Sequence, residues 1–312
     1  MMDAEVLEKY RKAGEILAQV RSEASSMIDV GVSILEVAEF VEGKTRALGG
    51  EPAFPCNISR DRVAAHDTPR PQDGSTFGEE MVKLDIGVHV DGYIADAAVT
   101  VDLGGHPDLV EASKAGLAAA IELVEPGAST ADLGAAIEEA IRGYGYNSVA
   151  NLTGHGLDRY RAHGEPSVPN RAVDKGVELS PGDVIAIEPF ATDGIGRISE
   201  APQVEIYSLV GKRPVRSPPA RALLKEVQDR YPSLPFARRW LSGERIDYSI
   251  LQLLRVGVLH RYPLLWEAEG ALVSQAEETV IVLDSGREVT TRPGRRPGQA
   301  SSPSSSEPSS SL

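Results

Sequence analysis

Apolar residues alternate from 82 to 101 and are interrupted only at Asp91-Gly92, a pattern that predicts two antiparallel strands joined by a tight turn. Each strand carries one acid in an otherwise apolar setting, Asp85 in the first and Asp96 in the second. With Asp91-Gly92 as the loop, Asp85 faces Ala98 and lies diagonal to Asp96. A pairing centred between Val90 and Asp91 sets the two acids opposite each other. Side chains alternate with period two, so both registers put the carboxylates on one face. A shorter apolar run, 184–187, ends at Glu188 and is limited by Pro189. Another, 279–283, follows Glu277 and Glu278, which alternation sends to opposite faces, so only one of them joins a site with the others.

Helical spacing marks a stretch opening at Lys12-Ala13-Gly14 and a second at 34–48, preceded by Gly31-Val32-Ser33. The same order recurs at Lys114-Ala115-Gly116 and at 131–142, preceded by Gly127-Ala128-Ser129. The recurrence predicts two similar halves closing on a central site. Two Ala-rich helical hairpins would share these features by composition alone, so the pattern leaves both readings open. After a strand at Val204-Glu205-Ile206 come helical candidates at 220–231 and 246–261, separated by Pro232, Pro235 and Gly243.

Asp85, Asp96, Glu188 and Glu277 are acids set beside or within strand patterns, and His155 lies between Gly154 and Gly156, which permit close backbone approach. Taken singly, each has a plainer reading: solvated acids on a hairpin, a charged strand end, a loop histidine. Together, four carboxylates and one imidazole suit a pair of divalent ions that activate water and stabilise an oxyanion. Two bare carboxylates close together and partly buried would repel until one stayed protonated, a conflict that a shared cation removes.

The stretches FPCNISRDRVAAHDTP, KLDIGVHVDGYIADAAVTVDL, NLTGHGLDRYRAHGEPSVPN, IAIEPFAT and QAEETVIV resemble the methionine aminopeptidases, specifically the type 2 branch of archaea and eukaryotes. The resemblance runs to about Thr291 and is specific in combination. It implies an α+β pita-bread fold with pseudo-twofold halves. It also implies two divalent ions (Co²⁺, Mn²⁺, Fe²⁺, Zn²⁺ or Ni²⁺), with Asp85 on one, His155 and Glu188 on the other, and Asp96 and Glu277 bridging. Glu188 would act as general base in hydrolysis of the amide after an N-terminal methionine. His66 and His163 would contact substrate and the reacting centre, and Phe54, Ala162, His163 and Phe190 would line the methionine pocket. The expected second residue of the substrate is small.

The expected organisation is a catalytic domain of 1–207 and 266–291, a helical insertion subdomain at 208–265, which type 1 relatives lack, and a disordered tail at 292–312. That tail departs from the family: 293–296 is basic and 301–312 is almost entirely Ser and Pro, too polar to bury a core. Glu278 is a second departure, an extra acid beside the expected ligand Glu277. Residues 207–265 carry a net charge of +7, against −14 for the whole chain and −21 for the remainder. A basic insertion on an acidic protein fits ribosomal RNA near a nascent chain, and it also fits a solvated arginine-rich face. The lone Cys56 excludes an intramolecular disulfide framework, suits a cytoplasmic location, and reads either as a packed residue or as a site of thiol modification. No signal peptide or membrane span is expected, and the family expectation is a monomer. X-Pro dipeptidases and aminopeptidases share the five-ligand set, but they normally carry a further N-terminal domain for which no room is expected before Asp85. A non-catalytic pita-bread protein binding RNA or the ribosome would have lost metal ligands.

Overall fold

Asp3 opens the first helix: its carboxylate accepts the Glu5 N–H at 2.8 Å, and α1 then runs Ala4–Ser25. The computed structural model describes residues 2–292, so the tail from 293 onward lies outside the described residues. Five more helices follow: α2 (Ile34–Ala47), α3 (Pro107–Leu123), α4 (Thr130–Gly143), α5 (Pro218–Arg230) and α6 (Ile246–Arg255).

Lys12-Ala13-Gly14 and Lys114-Ala115-Gly116, expected to open helices, sit instead in the middle of α1 and α3. Their glycines mark close approach. A Cβ on Gly14 would lie 2.3 Å from the Thr290 carbonyl oxygen, and one on Gly116 would lie 3.2 Å from the Ile141 side chain. The duplication itself is present in detail. Ser33 caps α2 by accepting the Glu36 N–H, and Ser129 caps α4 by accepting the Ala131 N–H. Gly31 and Gly127 both have φ +87°. Their N–H groups bond the carbonyls of Phe77 and Leu179, each at 2.8 Å.

Each helix pair covers one face of a sheet. In the Met81–Val90 strand, Val82, Leu84, Ile86 and Val88 pack against Ile16, Leu17, Val20, Val37 and Val41 of α1 and α2. The opposite phase, carrying Asp85, is thereby aimed inward. In the second half, Ile185, Ile187, Val280 and Val282 pack with Leu117, Ile121, Leu133 and Ile137 of α3 and α4. The hairpin follows the Asp91-Gly92 register, with Asp85 opposite Ala98 and Val90 opposite Tyr93. Asp91 and Gly92 take φ of +52° and +89°, the backbone that such a two-residue turn needs.

The helical pattern expected at 246–261 is broken. α6 stops at Arg255, Gly257 turns at φ +66°, and Leu259–Trp266 is a strand paired with Ser199–Leu209. Leu259 opposite Leu209 meets an edge that a longer helix would leave unpaired. Between these strands Leu223, Val227, Phe236, Ile250 and Leu253 form a hydrophobic cluster of their own. The far end of the Leu259–Trp266 strand pairs with Val63–Ala65, so the region returns to the first half of the chain.

Two helix-interior glycines separate packing from propensity. Gly14→Ala is expected to destabilise by about 1–3 kcal/mol through overpacking against the Thr290 backbone, despite the better helix propensity of alanine. Gly43→Ala, at an exposed α2 position with nothing within 4 Å of the added Cβ, is expected to stabilise by about 0.5–1 kcal/mol. Urea unfolding midpoints of the two variants should therefore move in opposite directions.

Candidate metal centre

Asp96 lies in the Tyr93–Asp102 strand and Glu277 immediately precedes the Glu278–Val282 strand, and the two segments touch directly. Ala98 and Glu277 exchange backbone hydrogen bonds at 3.1 and 3.3 Å. The Thr279 hydroxyl accepts the Asp96 N–H at 2.7 Å and donates to the Asp96 carbonyl at 2.8 Å. Gln275 Nε2 donates to Glu277 Oε2 at 3.2 Å. His155 lies opposite Ala186 in the neighbouring ladder, on a backbone that needs both flanking glycines. A Cβ on Gly154 would meet the Ala186 carbonyl oxygen at 2.3 Å, and one on Gly156 would meet that of Glu165 at 1.9 Å. Asn170 Nδ2 donates to the carbonyls of Leu152 and Glu188, both at 3.0 Å, tying the Glu188 strand end to the segment before His155.

All five expected ligands line one cavity. His155 Nε2 lies 3.3 Å from Glu188 Oε1 and 3.9 Å from Asp96 Oδ2. Ligand atoms of Asp96, His155 and Glu277 fall within 4.8 Å of one another. Burial raises the carboxyl pKa of Asp85, Asp96, Glu188 and Glu277, and for the last three the neighbouring carboxylates push in the same direction. Burial lowers His155 to about 3, which keeps its ring neutral and able to act as a ligand. Asp85 Oδ1 and Asp96 Oδ1 are buried with no hydrogen-bond partner. Crowded acids, orphaned oxygens and a neutral imidazole form a donor set that fits divalent cations and lacks the soft thiolates that would select other metals.

Glu278 faces away from this cluster. It pairs with Arg21 of α1 at 3.1 Å and accepts from the Thr291 hydroxyl, so its charge is met there and not at the centre. Arg21 also donates to the Glu277 carbonyl at 3.1 Å, which braces the same strand from behind.

Of the expected substrate residues, Phe54, His66 and His163 line the cavity. Ala162 and Phe190 do not. Ala162 is buried in the same apolar cluster as Phe54, which does line the cavity, and Phe190 is buried in a second cluster with Ala64. The cavity adds Asn57, Ala65, Ile206, Pro235 and Tyr262, none of them singled out from sequence. Asn57 stands directly opposite Asp85 in the sheet, and its Oδ1 is buried without a partner. Ile206, Pro235 and Tyr262 reach the cavity only through tertiary folding. His66 sits at φ +65°, a costly backbone for a residue with a Cβ. Its Nδ1–H donates to the Pro263 carbonyl at 3.1 Å, leaving Nε2 free as an acceptor. Burial lowers its pKa to about 4. The His155 and His163 rings meet edge to face at 4.5 Å. Cys56 is buried and its thiol pKa is pushed up by burial, which favours the packed reading over reactivity.

Comparison with known proteins agrees with this geometry. The family model for metallopeptidase family M24 matches residues 8–216. A methionine aminopeptidase of Archaeoglobus fulgidus is 54% identical over 292 residues, covering 93% of this chain and all of that protein. Among solved structures, a thermophilic Arx1 superposes with TM-score 0.84 at 19% identity, covering 95% of this chain and 93% of its own. A methionine aminopeptidase of Thermotoga maritima superposes with TM-score 0.68 at 22% identity, covering 93% and 98%. At these identities the two structural likenesses speak to the fold alone, and that fold is the pita-bread arrangement of paired halves. The full-length relative and the family model go further: the chain belongs to metallopeptidase family M24.

Proposed function

We propose that this chain removes the N-terminal methionine from peptides and nascent proteins by hydrolysis that depends on two divalent cations. What carries the reading is the convergence of Asp85, Asp96, His155, Glu188 and Glu277 on one cavity that also holds His66 and His163. Asp85 would serve one cation, His155 and Glu188 the other, and Asp96 and Glu277 both. When bound, such ions supply Lewis acidity and an acidified water at neutral pH.

The protein's own groups account for the rest. Glu188 takes a proton from the attacking water and returns it to the leaving amine. Neutral His66 presents Nε2 towards the cavity, and His163 at its rim hydrogen-bonds the developing tetrahedral centre. Phe54, Ala65, Ile206, Pro235 and Tyr262 supply apolar walls for an unbranched side chain, with the buried Ala162 and Phe190 as further expected members of that pocket. Full-length relatives named methionine aminopeptidase favour this reading over X-Pro cleavage. Retention of all five donors counts against a non-catalytic RNA-binding protein.

The same reading extends to organisation and setting. Residues 208–265 act as an insertion subdomain with its own core on a catalytic body of 1–207 and 266–291, and the enzyme works as a cytoplasmic monomer. Among the described residues no helix is long and apolar enough to cross a membrane. Lys212, Arg213, Arg216 and Arg221 are exposed on the basic insertion and would contact ribosomal RNA. Replacing these four by glutamine is expected to reduce ribosome co-sedimentation and flatten its salt dependence; unchanged sedimentation across salt would end that part of the proposal.

Metal-depleted protein should release no methionine from Met-Ala-Ser, and release should return on adding a supporting divalent ion. Glu188→Gln should lower kcat by about 10²–10⁴. Cleavage of Ala-Pro peptides in its place would move the assignment to the proline-specific branch. Stability should titrate as well. The ordinary Asp85 carboxyl pKa is 3.8, and burial in the folded chain raises it to about 7. A group with a raised folded-state value contributes stability below its unfolded value and loses it as pH rises through the folded one. Cation-free protein should therefore lose stability between about pH 4 and pH 7, and added divalent ion should restore it at pH 8. Melting curves with and without chelator test this.

A further inference from the structure

His66 holds a left-handed backbone that its own side chain disfavours, at φ +65°, so the surrounding contacts must impose that geometry. Within three residues of it on the C-terminal side, contacts converge on one buried arginine from the insertion. Arg239 Nη1 donates to Thr68 Oγ1 at 2.6 Å and to the Pro69 carbonyl at 3.4 Å, while Nη2 pairs with Glu42 of α2. The two side chains are only 5% and 6% exposed, which makes this a desolvated pair and not a surface one. Trp240 Nε1 donates to the other Glu42 oxygen at 2.7 Å.

The network continues into both walls of the cavity. The Thr68 hydroxyl donates to the Cys56 carbonyl at 2.7 Å, and the Cys56 N–H reaches Glu42 at 3.3 Å. The Ile58 N–H bonds the Asp67 carbonyl at 2.7 Å. Phe54 and Asn57 on one segment and Ala65 and His66 on the other are thus tied to a single ion pair that spans the insertion and the first half. The ring of His66 is held by a second part of the same region, the Pro263 carbonyl at 3.1 Å.

We infer that Arg239, clamped by Glu42 and acting through Thr68, is a positioning residue that sets the backbone of His66 and hence the direction of its imidazole. The inference rests on the proposed methionine-releasing activity. The planar fork of arginine matters here, because one guanidinium serves a carboxylate, a hydroxyl and a carbonyl at once, which an ammonium on a shorter reach cannot do. Thr68 has a matching double role, accepting from Arg239 and donating to Cys56. A purely structural pair would stabilise the joint between insertion and body but leave the chemistry of His66 untouched.

The test uses Arg239→Lys and the near-isosteric Thr68→Val in the full chain, each alone and combined with His66→Ala. Met-Ala-Ser cleavage is measured with the divalent ion that supports the wild type, and the imidazole nitrogens of His66 are followed by NMR. Misplacing His66 should lower kcat by about 10–100-fold with KM changed by less than about threefold. That loss should shrink to under about twofold in the His66→Ala background, because coupled residues are not additive. The nitrogen signals should move away from the Nδ1-protonated tautomer. Wild-type kcat in both variants, or an undiminished loss in the His66→Ala background, would overturn the inference. If the wild type releases no methionine, the activity proposal fails separately. The His66 nitrogen signals then decide alone, and a spectrum unchanged by both substitutions refutes the positioning role.

Discussion

Two unit charges about 4 Å apart at an effective dielectric near 20 interact by roughly 4 kcal/mol, and an ordinary domain is stable by only about 5–15 kcal/mol. Four carboxyls facing one buried cavity therefore set the condition for the rest of this structure. The acids must be protonated or share cations, and the fold must hold them together against their repulsion. Two elements of the fold serve that end. Apolar faces of the strands are locked under α1–α2 and α3–α4, which forces the opposite, acid-bearing phase inward. Direct bonds between Ala98 and Glu277, and between Asp96 and Thr279, stitch the halves at the acids themselves.

The periphery is organised to keep other charges out of that centre. Glu278, adjacent to a candidate ligand, is turned to Arg21 and Thr291. Glu42 is likewise kept from the cavity by Arg239 and Trp240, although it lies one hydrogen bond from the segment that carries Asn57. The insertion is accordingly more than an appendage. Its Pro235 and Tyr262 form part of the cavity wall, and its Pro263 fixes the tautomer of His66. The orientation of the His66 imidazole thus depends on a residue 197 positions further along the chain.

The acid-bearing hairpin was legible because alternation and a turn dipeptide are local signals, and the register follows from the positive φ that Asp91-Gly92 accepts. The helices that follow Gly31-Val32-Ser33 and Gly127-Ala128-Ser129 were legible for the same reason. Errors fell where a distant backbone decided the outcome. Gly14 reads as a helix opening until the Thr290 carbonyl is seen against it in mid-helix. Residues 256–261 read as more helix until the Ser199–Leu209 strand offers them a partner.

By itself, the sequence determined the elements with strong period and the chemical types of the donors. Period and residue type are properties of neighbouring positions, so Asp85, Asp96, His155, Glu188 and Glu277 stood out before any fold was known. Tertiary structure alone decided where Glu278 turns, which apolar residues touch the cavity, and how His66 is held. Those outcomes depend on contacts between segments as far as 257 residues apart, such as Arg21 with Glu278, Glu42 with Arg239 and His66 with Pro263, and no local pattern encodes such a contact.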